Sequence, residues 1–414
     1  MELNALGQPV VRVTSTTASS TESATTDGFG RQRVSEPFTL FDSQLRYSKR
    51  DDLFAEANVN GTFTYNINES SCDLTVGTAS GDRAVRETKR VFAYQPGKSF
   101  QIFTTFAMSA GETGLTQRAG IYNDQNGIFF ANIDGVNCIV KRSYVTGSVV
   151  ETVVPQTDWN VDKLDGTTIT GINIDITKTQ IFFTDMEWLG VGEVRCGFVI
   201  DGAFYFAHVF SHANNETTTY MTTPCLPLRY EIENTGVTTQ NNTLKQICAT
   251  VISEGGYALR GRKHTAYTDV GSLKALDKTQ EWPLLSVRLK STNTDAIAIL
   301  QGISVLVSAA GNYNIKVVQG GTLGNASFTS ASVDSAVEYD VSATDITGGD
   351  ERQSTVLSFS NQSTATLDLG EGDLFGFQLE RDGLSNSTIP YTIVIVGSPN
   401  NFNGGAAVNW EEIF

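Results

Sequence analysis

Asp185 and Glu187, two residues apart in "TDMEWLGVGE", come nearest in this chain to a catalytic arrangement. Glycosidases work with a pair of carboxylates, and on a strand positions i and i+2 share a face. Trp188 follows at once and offers a ring of the kind that stacks on a pyranose. The cluster admits three readings: hydrolysis, sugar binding, or a solvated strand face. Leu189, Gly190 and Val191 come next, so no third carboxylate stands close by. Tyr122, Trp159 and Tyr205 are further rings that could either line a sugar platform or fill a core.

Other chemistry is poorly supplied. His208 and His212 in "AHVFSHANN" are four apart, with no Glu after the first. On a strand that spacing separates them by about 13 Å, too far for one metal, so no metal site is expected. Cys72, Cys138, Cys196, Cys225 and Cys248 are scattered and lack any CxxC spacing, which points to isolated thiols rather than a zinc site or disulfide frame. Cys196 and Cys225 have no neighbouring His in sequence to activate them. No GxSxG, P-loop or dinucleotide fingerprint occurs. The residues therefore predict no enzyme and no cofactor.

The elements that must carry these residues read as strands. Phe100, Ile102, Phe106 and Met108 share one parity; Ile172, Ile174 and Ile176 alternate with polar residues; Val194, Cys196, Phe198 and Ile200 form another face. Such alternation marks half-buried antiparallel strands, and "NDQNG", "KLDG" and two "IDG" steps supply turns. Leu285, Val287 and Leu289 resume the pattern, followed by Ile297, Ile299, Ile303, Val305 and Val307. Between the two regions "GRKHTAYTDVGSLKALDKTQEW" is polar and charged. This predicts an all-β chain, with an extended N-terminal arm (1–55), a jelly-roll-like β-sandwich (56–262), a linker (263–282) and a C-terminal β-sandwich (283–414).

Charge and composition narrow the partners. With 414 residues, a net charge of −16 and a pI near 4.6, the chain lacks the basic balance of a nucleic-acid binder. No run of 18 apolar residues suggests membrane insertion, and no basic start leads into an apolar core as in a signal peptide. Residues 14–27 are dominated by Ser and Thr, too poor in apolar surface to fold alone. From Gly28 to Arg50 the balance turns basic.

"TDGFGRQRVSEPFTLFDSQ", "QRAGIYNDQNGIFF", "VGEVRCGFVIDGAFYFAHVFSHANN" and the closing "VNWEEIF" resemble virion structural proteins of tailed phages, especially marine and cyanobacterial ones, and of some large DNA viruses. The resemblance covers residues 27 to about 52, most of 115–260, and the last ten. It implies an arm, a lectin-like jelly roll and a C-terminal sandwich, displayed on the particle as decoration or fibre. On that view Phe29, Phe38 and Phe41 would anchor the arm on another virion protein, and Arg31 and Arg33 would grip carboxylates. The chain would reside in the virion as a homo-oligomer, a trimer if it is part of a fibre. The alternative is an adhesin for a host surface glycan, with Tyr122, Asp185, Glu187 and Trp188 as binding residues; a polysaccharide depolymerase comes third. Laminarinase-type jelly rolls set acidic residues on a strand comparably, but need the third carboxylate missing here.

Overall fold

The computed structural model describes residues 36–360, 363–369, 375–382 and 387–413. Phe29, Arg31 and Arg33 lie outside the described residues. Among these, the chain is all-β: antiparallel ladders build sheets of eight, seven, five and six strands, and helix is confined to a three-residue 3₁₀ turn at Gln156–Asp158.

The first sandwich holds the two larger sheets. One runs, in spatial order, Ala203–Phe210, Val194–Ile200, Gln180–Met186, Phe100–Ala107, Asn242–Ser253, Ser71–Val76 and Gly61–Asn66. The other runs Val150–Pro155, Val136–Ser143, Gly127–Ile133, Leu115–Tyr122, Leu228–Asn234, Arg83–Thr88 and Phe54–Val59. Alternation decides what lies between them. Phe100, Ile102 and Phe106 point inward and are buried, with Phe106 stacked on Phe130 of the facing sheet at 5.6 Å. Each such side chain contributes roughly 1.5–3 kcal/mol by leaving water. The "IDG" turns behave as two-residue hairpins: Asp134 and Gly135, then Asp201 and Gly202, all take positive φ. That twist matches the flanking strands.

The second sandwich pairs the other two sheets. Phe402–Ile413 lies between Arg262–Tyr267 and Ile297–Val307, while Trp282–Leu289 lies between Val337–Asp340 and Tyr391–Gly397. Leu285, Val287, Leu289, Ile303, Val305 and Trp410 fill the space between.

Three expectations need correction. The stretch 38–44, placed in the arm, is a strand of the chain's own first sandwich. Phe38–Gln44 pairs with one half of Asn242–Ser253, end to end with Ser71–Val76 on the other half. Phe41 then packs on Phe92 and Phe54 at 5.1 and 6.1 Å, and Lys49 and Arg50 pair locally with Glu56 and Asp52. The segment thus pairs along a ladder edge and fills an apolar pocket of its own chain.

The supposed linker 263–282 is likewise strand: Arg262–Tyr267 and Lys274–Leu276 both pair with Phe402–Ile413. It reads as polar because only the side chains of Ala266 and Leu276 among these strands are buried. Ile172–Ile176, finally, is held by the isolated Asp165–Asn173 bridge rather than a ladder. Ile174 and Ile176 still sink into the core, so periodicity reported burial and not pairing.

Candidate functional site

Asp185 alternates along its strand with Phe182 and Met186, which point into the core, and so stands on the opposite sheet face. There it receives a hydrogen bond from Arg195 Nη2, its neighbour across the ladder. Both residues are buried, 1% and 0% exposed. Glu187 lies just beyond the strand end, also fully buried; the Tyr94 hydroxyl donates to its Oε1 and the Tyr220 hydroxyl to its main-chain oxygen at 3.0 Å. A solvated strand face is therefore not what this cluster forms. Buried carboxylates persist because each is matched by a donor.

The rings follow the same logic. Tyr122 is enclosed by Phe129 at 4.3 Å and by the guanidiniums of Arg142 and Arg229, with its hydroxyl donating to Glu231. Trp188 is half-buried, edge-on to Tyr94, and donates from Nε1 to the Met221 carbonyl. Neither Tyr122, Asp185 nor Glu187 is placed to meet a sugar.

His208 and His212 serve packing. His208 meets Phe210 edge-on at 4.5 Å; His212 stacks on Tyr220 at 4.0 Å and donates from Nδ1 to the Gly192 carbonyl. Burial lowers both, His208 to about 4. Among the described residues, no three His, Cys, Asp or Glu side chains come together as a metal would need.

What the sequence does not announce lies where the two sandwiches meet. An apolar seam joins Val91 and Ala93 to Ile297, Ile299 and Phe375. Phe38, one of the expected docking anchors, packs here against Tyr257 and Phe375 at 5.9 and 6.4 Å. It anchors one sandwich of the chain to the other. Beside the seam runs an ion network. Arg381 Nη2 donates to Glu87 Oε1 at 2.7 Å, Arg229 Nη1 to Glu87 Oε2 at 3.2 Å, and Arg90 Nε to Glu380 Oε1 at 2.9 Å. Burial pushes the Glu87 carboxyl up to about 7 against the pull of Arg381 and Arg229. Burial also acts against Glu231, but Arg229, Arg118 and Arg83 outweigh it and hold that carboxyl at about 2.

Over this network opens a cleft of about 390 Å³. Its first wall is Asn123, Asp124 and Gln125 with Thr222 and Thr223; its second is Ser291, Thr292, Thr294 and Asp295; Arg381 and Val91 lie between. The "NDQN" stretch is legible as a turn, but nothing in sequence brings it to the "STNTD" turn of the other sandwich. A second cavity, about 460 Å³ and mostly apolar, lies on the outer face of the eight-stranded sheet beside Gln44, Phe103 and Cys248.

No protein-family model matches the chain, and no curated protein does. Among solved structures, a glycoside hydrolase family 16 endo-glucanase from Bacteroides ovatus is similar over 51% of this chain and 99% of its own, at 10% identity and a TM-score of 0.35. Arcelin-5, a lectin-like defense protein from Phaseolus vulgaris, is similar over 53% and 99%, at 10% identity and 0.32. A protein of unknown function from Shewanella oneidensis is similar over 55% and 91%, at 6% identity and 0.36. No activity or ligand is carried across at these scores.

Proposed function

We propose that this chain is a non-catalytic structural protein of a tailed-phage-type virion, displayed on the particle as decoration or fibre and attached through residues 1–35. The observation that carries the non-catalytic part is the internal use of Asp185 and Glu187, each buried against its own donor. Acid–base work at neutral pH needs a group positioned against substrate, and these two are positioned against the fold. The seam and ion network between sandwiches support a body that keeps its shape on a surface, since an apolar, charge-stitched boundary opposes hinge motion. The viral assignment rests on the sequence resemblance, with Phe29, Arg31 and Arg33 as attachment residues.

The test is incorporation. Purified particles should contain the chain by mass spectrometry, and a form lacking residues 1–35 should fold yet stay off the particle. Absence from particles, or normal incorporation of the shortened form, would overturn the reading. Light scattering should give three copies for a fibre component. A second reading, a host-glycan adhesin on the same particle, is favoured by the polar cleft.

A further inference from the structure

We infer that the cleft between the two sandwiches binds a neutral, polyhydroxylated ligand of the saccharide class. The inference rests on the adhesin reading and gives it a site, one that contains none of Tyr122, Asp185, Glu187 or Trp188.

The lining chooses the ligand class. Among the described residues, every side chain bordering the cleft apart from Val91 carries a hydrogen-bonding group, and none is aromatic. An apolar ligand would leave those groups unpaired, which costs more than its own burial returns. Asp295 and Asp124, the latter paired with Arg229, outnumber the lining cation Arg381, itself paired with Glu87, so the lining offers no excess positive charge to a polyanion. Amide, hydroxyl and carboxylate groups together, able both to donate and to accept, suit a ligand whose surface is hydroxyls. The volume lies within the range of small-molecule sites.

Both walls are also built before any ligand arrives. Asn123 Oδ1 accepts from the backbone of Gln125 and Asn126, closing the first turn. Asn126, fully buried, donates to Thr222 Oγ1 and accepts from the Thr222 and Tyr144 amides, fixing that turn to the 222–223 segment. Asp124 is steered by Arg229 at 2.7 Å, and Arg381 by Glu87 at 2.7 Å. On the second wall, the Asn293 amide donates to the Lys290 carbonyl and the Ala296 amide to the Asn293 carbonyl. Lys290 Nζ in turn reaches the carbonyls of Ser332 and Ser335. Groups held this way lose little freedom on binding, which is how a polar site gains affinity.

The experiment uses the full chain on an array of immobilised neutral oligosaccharides of glucose, galactose, mannose and N-acetylhexosamines, with heparin as the polyanionic control. Binding to at least one neutral class is expected, weakened tenfold or more by Gln125→Ala and by Asp295→Ala. Both residues are exposed, so circular dichroism and melting temperature should match the parent. Val356→Ser, on an exposed strand elsewhere, should bind as the parent does. Neutral-glycan binding that survives both cleft variants overturns the site while leaving the adhesin reading intact. Binding to heparin alone, or to nothing, overturns the inference. Particle incorporation, measured separately, decides the structural role.

Discussion

Arg381 of the second sandwich and Glu87 of the first meet at 2.7 Å across the boundary between them, with 5% and 0% of their side chains exposed. Neither sandwich can present these charges to solvent without separating from the other. Arg229 holds the opposite carboxylate oxygen of Glu87, so one buried anion is shared by cations from both bodies. Losing Arg381 still leaves Glu87 paired with Arg229, so the cost should fall below the roughly 3–5 kcal/mol of a buried charge stripped of its partner. Arg381→Ala should therefore lower the urea midpoint and split a shared unfolding transition into two. An unchanged single transition would show that the apolar seam and the Arg90–Glu380 pair couple the sandwiches without Arg381.

Asp185 and Glu187 should matter to stability and not to turnover. Asp185→Asn removes the charge that faces Arg195 across the ladder in a buried ion pair, and a loss of about 3 kcal/mol is expected. Glu187→Gln keeps an acceptor for the Tyr94 hydroxyl and should cost less. Neither parent nor variants should release oligosaccharides from host capsular or lipopolysaccharide preparations. Release by the parent that Glu187→Gln abolishes would reverse the non-catalytic reading.

Phe41 and Phe38 separate two roles that the sequence runs together. Phe41 lies in the first core against Phe92, and Phe41→Ala should cost about 3–5 kcal/mol. Phe38, half-buried in the seam, should cost less and act mainly on coupling between the sandwiches. Thermal melts of both, set beside particle incorporation, check the assignment. Loss of incorporation by Phe38→Ala with an unchanged melt would return that residue to the docking arm.

The strands of both cores were legible because their period-two pattern is also their burial pattern, as in Phe100, Ile102 and Phe106. Legibility failed where backbone pairing and side-chain burial part company. Arg262–Tyr267 is paired along its length yet buries little beyond Ala266, whereas Ile174 and Ile176 are buried outside any ladder, their main chain bonded at an isolated bridge and to Met108. The carboxylates failed for a related reason. Spacing placed Asp185 and Glu187 near one another, but whether such a face meets water depends on what long-range folding sets against it. The cleft was invisible for a third reason: it is made of two ordinary turns, and only the packing of one sandwich on the other makes them neighbours.

His208 supplies a pH dependence whose sign can be worked out. The residue is 7% exposed, its Nδ1 has no hydrogen-bond partner among the described residues, and burial holds it at about 4 against an ordinary 6.5. Between those values the unfolded chain takes up a proton that the folded chain refuses. Stability from this group is thus complete above pH 6.5 and is lost as the pH falls toward 4, at up to about 1.4 kcal/mol per pH unit. His212, lowered for the same reason, adds in the same direction. Glu87 opposes them: raised to about 7, it lets the folded chain bind a proton that the unfolded chain does not, between pH 7 and its ordinary 4.5. Comparison of a variant with its parent cancels that background. His208→Leu should shift the pH 5 urea midpoint upward, relative to its effect on the pH 7.5 midpoint, when each is compared with the parent at the same pH. Equal displacement of both midpoints would mean that the residue acts through packing against Phe210 and not through its charge.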